Sequence, residues 1–131
     1  MSQDRTPVRT TEAPVPISPI SQAIKAGGFV FTSGQLGREP GAGQLLVGMG
    51  PQARQALKNI EAVVRAAGGS MKDVVRIETH VTDLAQVGAF NEAFKEFFPT
   101  EPPARCCVEV SKLAAGALIE ITAVAYVGSV G

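Results

Sequence analysis

Residues 73–98 read DVVRIETHVTDLAQVGAFNEAFKEFF, and the apolar pattern changes period part-way through. Over 73–82 it alternates. Val75, Ile77, Thr79 and Val81 fall on one face, and Arg76, Glu78 and His80 on the other, as a strand with one buried face requires. From residue 84 the apolar positions come at helical spacing, with Leu84, Val87, Phe90, Phe94 and Phe97 in one stripe. Thr82 or Asp83 is placed to cap that helix, and Pro99, Pro102 and Pro103 close it. A further strand is predicted at once, over 104–110, ARCCVEV.

The other elements follow outward from this unit. GPQARQALKNIEAVVRAAGG (50–69) predicts a helix. Pro51 suits a first helical position, and Ala53, Ala56, Leu57, Ile60, Val63, Val64 and Ala67 share one face; Gly68 suits the C-terminal cap. SQAIKAGGFVFTSGQ (21–35) predicts two short strands about a turn at Gly27–Gly28, where positive φ costs little. REPGAGQ (38–44) reads as a loop, Leu45–Val47 as a short strand, and 117–127 as the last strand. Residues 1–16 are polar, carry Pro7, Pro14 and Pro16, and are expected to form a flexible tail before a single domain over 17–131.

That order fits one mixed six-stranded sheet with two helices on one face, an α/β (α+β) architecture. Helices on one face leave the other bare. Charged residues make up 18% of the 131-residue chain and apolar ones 45%, so another subunit is expected to cover the bare face. Twelve basic and twelve acidic residues leave no net charge, which speaks against nucleic acid as a partner. The opening residues lack the apolar core of a secretory signal, and no apolar run is long enough to span a bilayer. A cytoplasmic protein without a membrane partner is the expectation.

Cys106 and Cys107 are adjacent. Their Cα atoms lie ~3.8 Å apart, too close for an ordinary disulfide, so free thiols are expected. One histidine and a back-to-back cysteine pair cannot supply a tetrahedral metal shell. Gly48-Met-Gly50-Pro-Gln-Ala53 resembles a dinucleotide fingerprint, but no acidic residue ends a second strand at the required distance, and a helix start explains the glycines. His80 sits between Glu78 and Arg76 on what reads as a solvated strand face. Asn59 and Asn91 lie within helices, where a structural role is the default. Arg105 and Glu120 stand out, because each interrupts an otherwise apolar strand. Charges in such places are paired or functional, which leaves two readings open: a salt bridge between them or with Glu109, or a site.

Seven stretches in order resemble the RidA/YjgF family: SPISQAI (18–24), FTSGQLG (31–37), QARQALKNIEAVVRAAG (52–68), DVVRIETHVTDL (73–84), FNEAFKEFF (90–98), PPARCCVEV (102–110) and IEITAVA (119–125). The resemblance implies a chorismate-mutase-like fold and a homotrimer with ligand clefts between subunits. It also implies deamination of 2-imino acids to 2-keto acids without cofactor or metal. Carried onto this chain, Arg105 would grip the substrate carboxylate and Glu120 would hold the attacking water. Ser33, Gly34, Asn91 and Cys107 would line the cleft. One position departs: the active deaminases carry tyrosine where this chain has Ile20, which cannot hydrogen-bond. The sole tyrosine, Tyr126, is ~20 Å along the strand from Glu120. A cofactorless imine deaminase and a trimeric small-carboxylate binder without turnover are thus both compatible with the sequence. An RNA-cleaving role is opposed by the balanced charge and the unassisted histidine.

Overall fold

The computed structural model describes residues 4–41 and 43–128. Its strands are β1 (Thr6–Val8), β2 (Ala23–Ala26), β3 (Phe29–Thr32), β4 (Gln35–Leu36), β5 (Val74–Val81), β6 (Ala104–Glu109) and β7 (Ile119–Tyr126). Its α-helices are α1 (Met49–Ala66) and α2 (Val87–Phe97). The strands form one mixed sheet in the order β1-β2-β3-β7-β5-β6, with β4 also on β7. Only β5 and β6, joined through α2, run parallel. The sheet has seven strands where six were expected.

The periodicity of 73–98 becomes strand and then helix. Ile77, Thr79 and Val81 of β5 are fully buried under the helices, as are Ile119, Ile121 and Ala125 of β7. Val75 corrects the simple alternation. The β5–β7 register shifts between Val74 and Arg76, so Val74 is buried and Val75 exposed, because a bulge reverses the parity of the residue it inserts. Asp83 caps the turn before α2 by accepting a hydrogen bond from the Ala85 N–H at 2.9 Å. Phe90 and Phe94 supply the buried stripe of α2, while Leu84 is exposed. Helix α1 begins at Met49, two residues before Pro51, and Gly68 follows it at φ 97°. Gly27 and Gly28 take φ 57° and 89° in the β2–β3 turn. Arg54 on α1 grips Glu96 on α2 with two hydrogen bonds, of 2.9 and 2.7 Å.

Two further expectations are corrected. Leu45–Val47 is not a strand, since Leu45 makes only an isolated bridge to Arg38. Residues 5–16 are not a loose tail, while residues 1–3 lie outside those described. β1 pairs with β2, and Val8 and Ala13 are buried. The fastener is Gln22, itself buried. Its Nε2 donates to the carbonyls of Thr10 at 3.0 Å and Pro14 at 2.9 Å, and its Oε1 accepts from the Thr10 N–H at 2.7 Å. Removing that amide leaves part-buried backbone groups of the arm unpaired, so Gln22→Ala is expected to cost about 1–3 kcal/mol. Hydrogen exchange should show faster amide exchange over residues 6–14 with the helices unchanged. Unaltered exchange there would mean that apolar burial alone holds the arm.

The helices cover one sheet face. The other presents Phe29, Phe31 and Tyr126 at 40%, 47% and 48% exposure, with Val108 near the edge at 45%. Phe29 lies opposite Tyr126 in register, with ring centroids 4.9 Å apart.

Candidate functional site

Glu120 lies on β7 between the buried Ile119 and Ile121, so it points to the face away from the helices. Directly across from it stand His80 of β5 and Leu36 of β4. The His80 Nδ1 is 4.0 Å from the Glu120 Oε1. His80, read from the sequence as merely solvated, is therefore the residue facing the carboxylate. The signal was present in the alternation of both strands, but only their pairing reveals it.

The chain between β3 and β4 makes room for Glu120. From Phe31 to Gln35 is four residues, yet their partners Val124 and Ile121 are three apart. The surplus residue is a bulge at Thr32–Gly34, which tethers itself elsewhere. The Ser33 N–H donates to the Gln22 carbonyl at 2.9 Å and the Ser33 hydroxyl to the Ser21 carbonyl at 2.6 Å. Gly34 then passes over the carboxylate. A Cβ at Gly34 would lie 2.6 Å from the Glu120 Cδ and 2.7 Å from its Oε2. No other residue type admits Glu120 in this position.

Ser33, Gly34, Glu120 and Ile20 line one cleft of about 490 Å³. Its wall continues through Val15 of the arm and the following Ile17, and through Leu36 and Arg38. Periodicity gives the arm no place in a site, because its placement depends on Gln22, a long-range link. Ile20 is 55% exposed into this space. Tyr126, tilted against the Phe29 ring, is not among the lining residues.

Arg105 is elsewhere. It pairs in register with the buried Ile77, so it emerges on the helix side of β6. There its guanidinium carbon sits 4.9 and 4.8 Å from the ring centroids of Phe90 and Phe94. Its Nη2 donates to the Asn91 Oδ1 at 2.6 Å. Stacking on two rings and a short bond to α2 hold the fork rigid at the sheet edge. Cys107 shares that face of β6. Burial pushes its thiol above the ordinary range, with Arg105 partly opposing the shift. Cys106 faces the other way, 3.7 Å from the Arg76 Nη2. β6 is an outer strand, exposed except at Cys107; it is not the buried strand its composition suggests.

The structure thus sorts the predicted residues into two groups. Glu120, Gly34, Ser33 and Ile20 meet on the open side; Arg105, Asn91 and Cys107 lie on the helix side. The salt-bridge reading fails, because Arg105 bonds Asn91, Glu120 faces His80, and Glu109 accepts from the Leu84 N–H at 2.9 Å. Asn59 is structural. Fully buried, it donates to the carbonyls of Leu36 and Arg38 at 3.2 and 2.8 Å and anchors β4 to α1. Gly48 is the N-cap of α1. Among the described residues no three of His, Cys, Asp and Glu cluster as metal ligands, and no helix is long and apolar enough to cross a membrane.

Residues 10–127 match the family model described as endoribonuclease L-PSP. A RutC family protein of Pyrococcus horikoshii is 45% identical over 89% of this chain and 94% of its own. The 2-iminobutanoate/2-iminopropanoate deaminase of Mus musculus is 38% identical over 92% of this chain and 90% of its own. The crystal structure of E. coli TdcF with bound serine has a TM-score of 0.89 at 36% identity, covering 92% of this chain and 98% of that one. The shared architecture is the chorismate-mutase-like fold. By sequence and by fold, the chain belongs to the endoribonuclease L-PSP family, the RutC/RidA/YjgF proteins.

Proposed function

We propose that the chain is a cofactor-independent enamine/imine deaminase that hydrolyses 2-imino acids to 2-keto acids and ammonia, acting as a homotrimer with its sites between subunits. The observation that carries this reading is the Glu120 carboxylate held under Gly34 at the wall of an open cleft. Such a group is suited to position a water and take its proton. The mammalian relative's name and the serine bound to TdcF support a small amino-acid-derived ligand.

In this reading Arg105 receives the substrate carboxylate through two parallel charge-assisted hydrogen bonds. Water adds to the electrophilic imine carbon while Glu120 accepts its proton. Glu120 returns that proton to nitrogen, giving a carbinolamine. It then takes the hydroxyl proton and passes it to the amino nitrogen as the C=O bond forms and the C–N bond breaks, so that ammonia leaves and Glu120 is again a carboxylate. Arg105 and Glu120 project from opposite sheet faces, so one chain cannot apply both to one small molecule. A neighbouring subunit lying on the apolar open face would bring its Arg105 edge to this cleft.

A second reading, a trimeric small-carboxylate binder without turnover, is favoured by one observation: Ile20 gives the cleft an apolar wall where a hydroxyl would orient the reacting groups. One assay separates the two. Supplied with a freshly generated imino acid, the protein is expected to release keto acid above the spontaneous rate, and Ile20→Tyr to raise that rate about tenfold or more, the worth of one positioning hydrogen bond. Keto-acid binding with no turnover in either protein would select the binder.

A further inference from the structure

We infer that Arg38 docks a second anionic group on the substrate, so that this cleft takes 2-imino and 2-keto dicarboxylates in preference to the corresponding monocarboxylates. The inference rests on the cleft around Glu120 being the substrate site.

The placement follows from register. Leu36 lies directly opposite Glu120, and side chains alternate along a strand. Arg38, bridged to Leu45 in extended backbone, therefore returns to the Glu120 side. Gly37 between them turns toward α1, where a Cβ would strike the backbone of Gln52. Arg38 lies ~7 Å further along the strand than Leu36. A substrate held at Glu120 with a carboxylate two methylenes beyond its imine carbon would extend along the strand toward Arg38.

The charge pattern of the cleft agrees. Arg38 and Glu120 are the only charged residues among those lining it; the remainder are apolar, small or neutral polar. The Arg38 Nη1 donates to the Gly43 carbonyl at 3.0 Å. That bond fixes the side chain but uses one of five N–H donors. No carboxylate pairs with Arg38 among the described residues. A guanidinium anchored at one corner, with donors to spare and an apolar wall beside it, suits a carboxylate at the end of a short methylene chain.

Titration calorimetry with 2-oxoglutarate and 2-oxopentanoate tests this, since the two share a five-carbon chain and differ in the distal carboxylate. The wild-type protein should bind 2-oxoglutarate about tenfold or more tightly than 2-oxopentanoate, in line with a hydrogen bond to a charged group. Arg38→Gln should abolish that preference and leave 2-oxopentanoate within about twofold of wild type. Equal affinities in the wild type, or a preference that survives Arg38→Gln, would overturn the inference and leave the carboxylate site standing. An equal loss of both ligands in Arg38→Gln would make Arg38 a clamp on its loop and also overturn it. If neither ligand binds the wild type, the inference falls together with the proposed function.

Discussion

Gly34→Ala is expected to keep the fold and lose roughly a hundredfold in imine hydrolysis, the scale of a misplacement of about 1 Å. The added methyl would come within 2.6 Å of the Glu120 Cδ, far inside contact distance. What must yield is the far end of a flexible, half-exposed side chain and not backbone. Glu120 can rotate away at small cost in stability, so the thermal midpoint should stay close to wild type. The carboxylate cannot then remain where the cleft needs it. Glu120→Gln provides the matched control, because its amide fits the same space but cannot accept the water's proton. If Gly34→Ala keeps full turnover while Glu120→Gln loses it, the glycine serves the bulge and not the placement of the carboxylate. If both retain full turnover, Glu120 has no part in the chemistry.

The elements legible in the sequence were those whose order is periodic and local. β5, α2 and α1 each carry a full apolar face, and Gly27–Gly28 marks its turn by composition. What escaped was held by single contacts. β4 is two residues long, pairs with β7, and is anchored by Asn59 through the carbonyls of Leu36 and Arg38. The arm over 5–16 reads as polar and proline-rich, yet Gln22 pins it in place. Alternation places Val75 on the buried face because it carries no sign of the bulge that turns it out.

The site divides along the same line. Arg105 and Glu120 stood out as charges in apolar strands, on physical grounds. Ser33, Gly34, Asn91, Cys107 and Ile20 came from the family resemblance, since nothing in their local sequence marks them. His80 reads from the sequence as a residue of a solvated strand face, and Arg38 as part of a loop. Their significance lies in which residue stands across the strand from Glu120, and that depends on sheet order.

Mixing two inactive variants is expected to restore activity. Arg105→Ala removes the fork on the helix side of β6, and Glu120→Gln removes the proton acceptor on the open side of β7. Each alone should reduce turnover by about a hundredfold or more, since each removes one half of the constellation. Within one chain the two residues project from opposite faces of the sheet, Arg105 over Phe90 and Phe94 and Glu120 beside His80. A working pair must therefore join one subunit's Arg105 to another's Glu120. In a closed trimer each contact is heterologous and repeats around the ring. When the two variants are denatured together and refolded at equal ratio, subunits assort at random. About a quarter of the sites then receive an intact Arg105 from one neighbour and an intact Glu120 from the other. Turnover should rise to about that fraction of wild type, while each variant refolded alone stays inactive. Sedimentation equilibrium on the mixture should show trimers, because the exposed Phe29, Phe31 and Tyr126 need a partner to cover them. Trimers without recovered turnover would place both residues of each working pair in a single subunit, against the facing seen here. A monomer at micromolar concentration would remove the shared site altogether, and with it the means by which a short chain can bring a carboxylate-binding fork and a proton acceptor to the same imine.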